Sequence, residues 1–364
     1  MKIAKTKLIA IIAGVVAALA IGGVVIYNVT KPKEEPVVKT EKKVEDTTHK
    51  GEMRSLLTGE WVPEEQGKKR PVAVMTENTP VAMPQYGLNR AGVIYECPME
   101  GGLTRLMAIY EDYSGLDRIG NVRSCRPYFA YFAAEFDSVY VHFGQSVFAL
   151  EVLESGLVNN ISGLDGSVSS TFYRSDDRKA PHNAYVSEQG IKEGIAKKGY
   201  RVEYDANYPG HYLFVEDGKE NNLDKGTDCK ALRLYYPSNT PSFVYDDKTK
   251  TYKRFQYGEA QIDKVDDKQI EVKNIILQNV ISDVYDSPEG YLNLTVSGSG
   301  EGKYITNGKM IDVTWTKSTE DGITHYYDSN NKEIQLNPGK TWVSIIQNQY
   351  ADRNVFSATV DGLE

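Results

Sequence analysis

The apolar positions in the first half of the chain gather into four short runs rich in β-branched and aromatic residues. They are 71–76 (PVAVMT), 92–97 (GVIYEC), 103–110 (LTRLMAIY) and 138–143 (SVYVHF). None alternates strictly with polar residues, so each reads as a buried strand. Three further stretches carry helical spacing. Residues 127–136 (PYFAYFAAEF) open on a proline and present a wide apolar face, and 147–155 stop at Gly156. Residues 187–198 start at Ser187 as a cap and stop at Gly199. Strands and helices interleave, and a hairpin over 97–103 makes the sheet mixed.

The second half changes pattern. Residues 243–245 and 252–257 flank a polar turn at 246–250, and 326–327 and 334–336 flank another at 328–332. Asn307-Gly308, between 304–305 and 310–315, is the strongest hairpin signal in the chain. Short strands at regular spacing predict a sandwich or barrel. The predicted class is therefore α+β: a mixed α/β domain over 56–210, a connector over 211–229, a mainly-β sandwich- or barrel-like domain over 230–356 and a tail over 357–364.

Ahead of these lies a different kind of segment. Residues 8–29 are 22 consecutive positions without a charge, preceded by Lys2, Lys5 and Lys7. A helix of that length rises about 33 Å, enough to cross a hydrocarbon core of about 30 Å. The three lysines keep its N-terminus inside and send the chain out. A cleaved signal peptide has a shorter apolar core, and this run continues well past Ala18-Leu-Ala20, so 1–29 reads as an uncleaved membrane anchor. No cysteine stands near it, which excludes a lipid-modified N-terminus. Residues 30–55, rich in Lys, Glu, Pro and Thr, read as a disordered stalk.

Beyond the anchor the chain carries 39 basic against 50 acidic residues, an excess of eleven negative charges. That balance argues against nucleic acid as a partner. Cys97, Cys125 and Cys229 are widely spaced, so neither a zinc motif nor a redox pair is expected; they read as small core residues. No metal site and no cofactor is expected. The glycines of 298–303 lack phosphate-loop spacing, no H-E-x-x-H occurs, and 143–148 lacks the second glycine of a nucleophile elbow.

The candidate chemistry lies in two Arg-rich segments. In 118–127 (RIGNVRSCRP), Arg118, Arg123 and Arg126 surround Ser124. If Ser124 caps the following helix, free N–H groups and two guanidiniums converge on a site for phosphate or carboxylate. The alternative is ion pairing of Arg123 and Arg126 with Glu96, Glu100 or Glu111. In 174–183 (RSDDRKAPHN), Arg178 and Lys179 precede His182, which could exchange a proton, and Asn183, which could orient it or donate to an oxyanion. His142, ending a strand before a glycine, could join them, though a satisfied core histidine is the commoner case. Glu77, Glu96 and Glu100 stand at strand ends or loops of one sheet edge, within reach of one another or paired with Arg105. The two Arg-rich segments are expected to meet.

The segments 71–78 (PVAVMTEN), 94–105 (IYECPMEGGLTR) and 118–128, with 140–142, 178–183 and 336–342 (LNPGKTW), together resemble the YerB-like family, also called DUF3048. The resemblance runs from residue 70 to about 346. It implies a two-domain, envelope-anchored protein of Gram-positive bacteria, often a lipoprotein, and supplies no reaction. Two readings follow. One is a protein binding an anionic envelope ligand, a cell-wall fragment or polymer, through Arg105, Arg118, Arg123, Arg126, Arg178 and their neighbours. The other is an envelope hydrolase or transferase with His182 or Glu100 as acid/base. The sequence leaves open whether it is an enzyme.

Overall fold

The computed structural model describes residues 47–285 and 288–363. Residues 1–29, where the anchor is expected, and 30–46 of the expected stalk lie outside the described residues. Among the described residues no helix is long and apolar enough to cross a membrane. Glu52–Arg54 pairs with Trp61–Pro63, and Ser55 is buried, so the folded unit takes over a few residues earlier than composition suggested.

The molecule is mostly β, with few helices. All four expected buried runs form strands, Val72–Glu77, Val93–Pro98, Thr104–Tyr110 and Val139–His142, in which every residue is buried. They explain their own unbroken hydrophobicity, since both faces of this sheet are covered. Val72–Glu77 pairs antiparallel with Thr104–Tyr110 and parallel with Val139–His142. Val93–Pro98 pairs antiparallel with Thr104–Tyr110 through the expected hairpin.

The second half departs from expectation. Its strands do not close into a separate sandwich or barrel. Thr341–Gln347 instead lies parallel to Val93–Pro98 on one side and to Asn274–Val280 on the other. Gly298–Thr306 and Lys309–Lys317 continue outward, so one eleven-stranded sheet runs through both halves. Of residues 334–336 only Leu336 pairs, in an isolated bridge to Phe214. A separate six-stranded sheet, containing Ala231–Arg233, Ser242–Asp246 and Thr251–Gln256, supplies Phe243 to pack edge-to-face on Trp342 of the large sheet.

Because side chains alternate across a strand, the large sheet has two cores, and each draws on both halves of the chain. One holds Met75, Tyr95 and Met107 with Phe129, Phe132 and Phe136 of helix Pro127–Ala134, and with Trp315 and Val343. The other holds Val74, Ile94 and Leu106 with Ile191 of helix Glu188–Lys198, and with Phe243 and Trp342. The three cysteines are free and buried. A buried ion cluster crosses between the halves. Glu135, just past the first helix, accepts from Lys317, from His211 Nε2 at 2.7 Å and from Thr324 N–H at 2.8 Å. The residues 211–229 expected to be a plain connector are thus partly core.

Candidate functional site

The antiparallel register sets Glu77 directly opposite Arg105, which in turn faces Cys97 on the next strand. Opposed residues project to the same face, here the face that carries helix Pro127–Ala134. Segment 119–126 is laid along this edge. The Arg123 N–H donates to Met75 O at 3.1 Å, and the Phe143 N–H donates to Arg123 O at 2.9 Å. The second Arg-rich segment arrives through antiparallel pairing of Ile119–Gly120 with Ala184–Val186. The Asn121 side chain donates to His182 O, and Arg123 Nη1 to Pro181 O at 3.1 Å. The two Arg-rich segments meet.

Their meeting builds a carboxylate–histidine pair. His182 Nδ1 lies 2.9 Å from each Glu77 oxygen, and Arg123 Nε lies 3.5 Å from Glu77 Oε2. Glu77 is buried while His182 is about a third exposed. An ionised Glu77 places the ring proton on Nδ1 and leaves the Nε2 lone pair outward, where no described residue hydrogen-bonds to it. That is the arrangement a general base requires, whereas contact with an anion requires Nε2 to be protonated as well.

Arg105 is the electrostatic peculiarity. It is 7% exposed, donates one hydrogen bond, to Ser124 O at 2.6 Å, and forms no ion pair with a described carboxylate. Burial, then repulsion from Arg126 and Arg123, brings its pKa down to about 10. Arg126 has found a partner: its Nε is 3.2 Å from Glu100 Oε2, its Nη2 bonds the other oxygen, and it rests over the Tyr291 ring. Burial pushes Glu100 up, but Arg126 more than reverses this and holds the carboxyl below its ordinary range. Three guanidiniums, Arg105, Arg123 and Arg126, thus gather beside two carboxylates, Glu77 and Glu100.

Other expected members are placed elsewhere. Glu96 sits one residue out of phase with Cys97, so it points to the opposite face from Glu77. There it accepts from Asn78 at 3.0 Å and Thr104 at 2.9 Å and pairs with buried Arg254 at 3.0 Å. The three carboxylates do not converge. Ser124 does not cap the helix; Arg126 holds that position, and the Ser124 hydroxyl donates to Phe143 O at 3.1 Å. His142 is a core histidine, Nδ1 2.8 Å from Gly144 O, its pKa lowered by burial. Asn183 neither orients His182 nor faces an open site, because Arg174 and Ser175 O occupy its amide. Arg178 donates to Ala82 O, Pro84 O and Asn121, stapling two loops. Arg118 is sandwiched between Tyr86 and Tyr185 and paired with Asp177 at 2.8 Å. Lys179 is exposed.

Two members went unforeseen. Tyr257 donates to Asn78 O at 2.8 Å, beside Glu77, and Tyr291 lies under Arg126. Both come from the second half, and no local motif marks them. Well-formed clefts lie away from this cluster. Two clefts of about 520 and 530 Å³ adjoin Glu111, at the far end of strand Thr104–Tyr110.

Comparison with known proteins agrees with this architecture. Residues 57–201 match the model described as "Protein of unknown function (DUF3048) N-terminal domain", and residues 232–343 match the corresponding C-terminal domain. The chain is 33% identical over 308 residues to a protein of Bacillus subtilis (strain 168) described as "Putative lipoprotein YerB", covering 83% of this chain and 88% of the relative. It superposes on the crystal structure of YerB protein from Bacillus subtilis with a TM-score of 0.73 at 30% identity, covering 84% of this chain and 99% of the other. The two family models thus meet within one continuous sheet, and the chain belongs to the DUF3048 family, whose Bacillus relative is YerB.

Proposed function

We propose that this is a membrane-attached extracytoplasmic protein whose Arg105–Arg123–Arg126 cluster binds an anionic ligand of the cell envelope bearing phosphate or carboxylate. Residues 8–29 are the proposed single-pass anchor, and the lipoprotein description of the Bacillus relative supports an envelope location. The observation that carries the binding reading is Arg105, a buried guanidinium beside two others and without a carboxylate of its own. A buried cation left in that state gains most from an incoming anion, which supplies charge and hydrogen-bond acceptors together.

The second reading, a hydrolase or transferase acting on such a ligand, is favoured by the Glu77–His182 pair with its outward Nε2. Glu100 is then no acid, because Arg126 holds it ionised. His182 alone would move the proton, and Glu77 would orient it.

Thermal unfolding of the full-length chain against phosphates, sugar phosphates and cell-wall fragments tests both. A ligand at 100 times its Kd should add about 2.7 kcal/mol. A shift abolished in Arg105→Met and retained in His182→Ala supports binding, and turnover of that ligand lost in His182→Ala supports the enzyme. If no anion shifts the midpoint, the binding site is wrong.

A further inference from the structure

Residues 338–340, just ahead of strand Thr341–Gln347, stand away from the Arg/His cluster. In the fold they form one wall of the 520 Å³ cleft, whose other walls come from residues 57–66, 89–92, 111–112 and strand-end residues of the smaller sheet. Gly339 has φ +132° and presses on Lys273, whose Cβ would stand 2.8 Å from any Cβ added there; its N–H donates to Thr58 O at 2.8 Å. This tight passage delivers Lys340 to the cleft. The Lys340 ammonium reaches only Asn89, its carbonyl at 3.1 Å and its side-chain oxygen at 3.5 Å, and forms no ion pair with a described carboxylate. Burial lowers its pKa.

Across the cleft is the complementary case. Glu111 is 5% exposed, and among the described residues its Oε1 has no hydrogen-bond partner and its carboxylate no ion pair. Of the cations nearest it in the cleft, Arg90 is paired with Asp112, while Lys273 bonds Asn307 at 2.7 Å and lies 3.9 Å from Glu220. Glu60 and Glu271 also line the space, close enough for their charges to favour the Lys340 ammonium without forming an ion pair with it. Thr341 pairs with Val93 and Val93 with Ile109, so Lys340 and Glu111 leave strands two positions apart, about 10 Å between backbones. An unpaired cation and an unpaired carboxylate thus line one cleft of ligand size, too far apart to satisfy each other directly.

We infer that this cleft is a second binding site, taking a zwitterion with a free ammonium and a free carboxylate, an amino acid or short peptide, its ammonium at Glu111 and its carboxylate at Lys340. It is independent of the anion site, lying at the opposite end of the strand that carries Arg105. A ligand with both charges repairs both unpaired groups at once, whereas a ligand with one charge leaves the other buried and unmatched.

Isothermal titration of the full-length chain with L-alanine and with Ala-Ala tests this, each compared with its C-terminal amide and its N-acetyl form. Binding by at least one zwitterion is expected, weakened ten-fold or more by blocking either end; which zwitterion binds separates a free amino acid from a peptide. Glu111→Gln should weaken the zwitterion without weakening the N-acetyl form further, and Lys340→Met should do the converse for the amide. Arg105→Met should leave the titration unchanged. No heat with either zwitterion, or equal binding by a blocked form, overturns the assignment without touching the anion site.

Discussion

Glu135 and Glu111 are both buried glutamates, and their surroundings drive them in opposite directions. Burial pushes Glu135 up, but Lys317 and His211 prevail and bring its pKa down to about 2. A carboxyl depressed in the fold contributes stability above its unfolded pKa, near 4.5, and loses it as pH falls toward 2. Lys317→Met leaves Glu135 buried without its lysine and should cost about 3–5 kcal/mol in urea unfolding at pH 7. An unchanged midpoint would mean that His211 and Thr324 suffice. Glu111 has no such cation, so burial first, then Asp112 and Glu60, carry its pKa up to about 7 against the pull of Ser55 and Gln66. Its contribution is therefore complete below about 4.5 and is lost as pH rises through 7. Glu111→Gln should raise the melting temperature at pH 8 and change it little at pH 4; equal effects at both would contradict the ionisation. At this scale the sequence marked Glu77 and His182 as candidates but not as partners. They are 105 residues apart, and no spacing rule reaches that far.

At the scale of elements, helix Glu188–Lys198 was legible from its ends. Ser187 accepts from the Gly190 N–H at 3.1 Å, and Gly199 closes it at φ +65°. Its two internal glycines were not. A Cβ on Gly190 would stand 2.4 Å from Thr171 O, and one on Gly194 2.5 Å from the Thr171 hydroxyl, so the helix packs nearly backbone-to-backbone on residues 166–171. Gly→Ala in a helix interior ordinarily stabilises by about 1 kcal/mol. Here the sign should reverse, and Gly190→Ala should lower the melting temperature, whereas a rise would mean the contact is loose. The Asn307-Gly308 turn behaves as its sequence demands, with φ +48° and +75° between strands paired Thr306 to Lys309. Local chemistry of that kind needs no tertiary help.

For the whole molecule, the division between halves is one of sequence and not of cores. Trp342 lies fully buried in a cluster with Ile94 and Leu106, and Val343 in another with Met75 and Phe132. The folded unit should therefore unfold in one step, with far-ultraviolet circular dichroism and tryptophan fluorescence coincident. A fragment ending at residue 210 should fail to give a cooperative transition, because it lacks the strand that pairs with Val93–Pro98. Two separated transitions would restore the picture of autonomous halves.

The sequence alone determined what depends on neighbours within about ten residues. That covers the buried strands 72–77, 93–98, 104–110 and 139–142, the helices after Arg126 and Ser187, and the hairpins. The tertiary structure decided everything set by long-range pairing. Thr341–Gln347 joins Val93–Pro98 some 250 residues away, which turned an expected separate β domain into the continuation of one sheet. Strand phase then sorted the acids: Glu77 to the face of Arg105 and His182, Glu96 to the opposite face and Arg254. A one-residue difference in register reverses the face, and only the assembled sheet fixes which strands lie side by side.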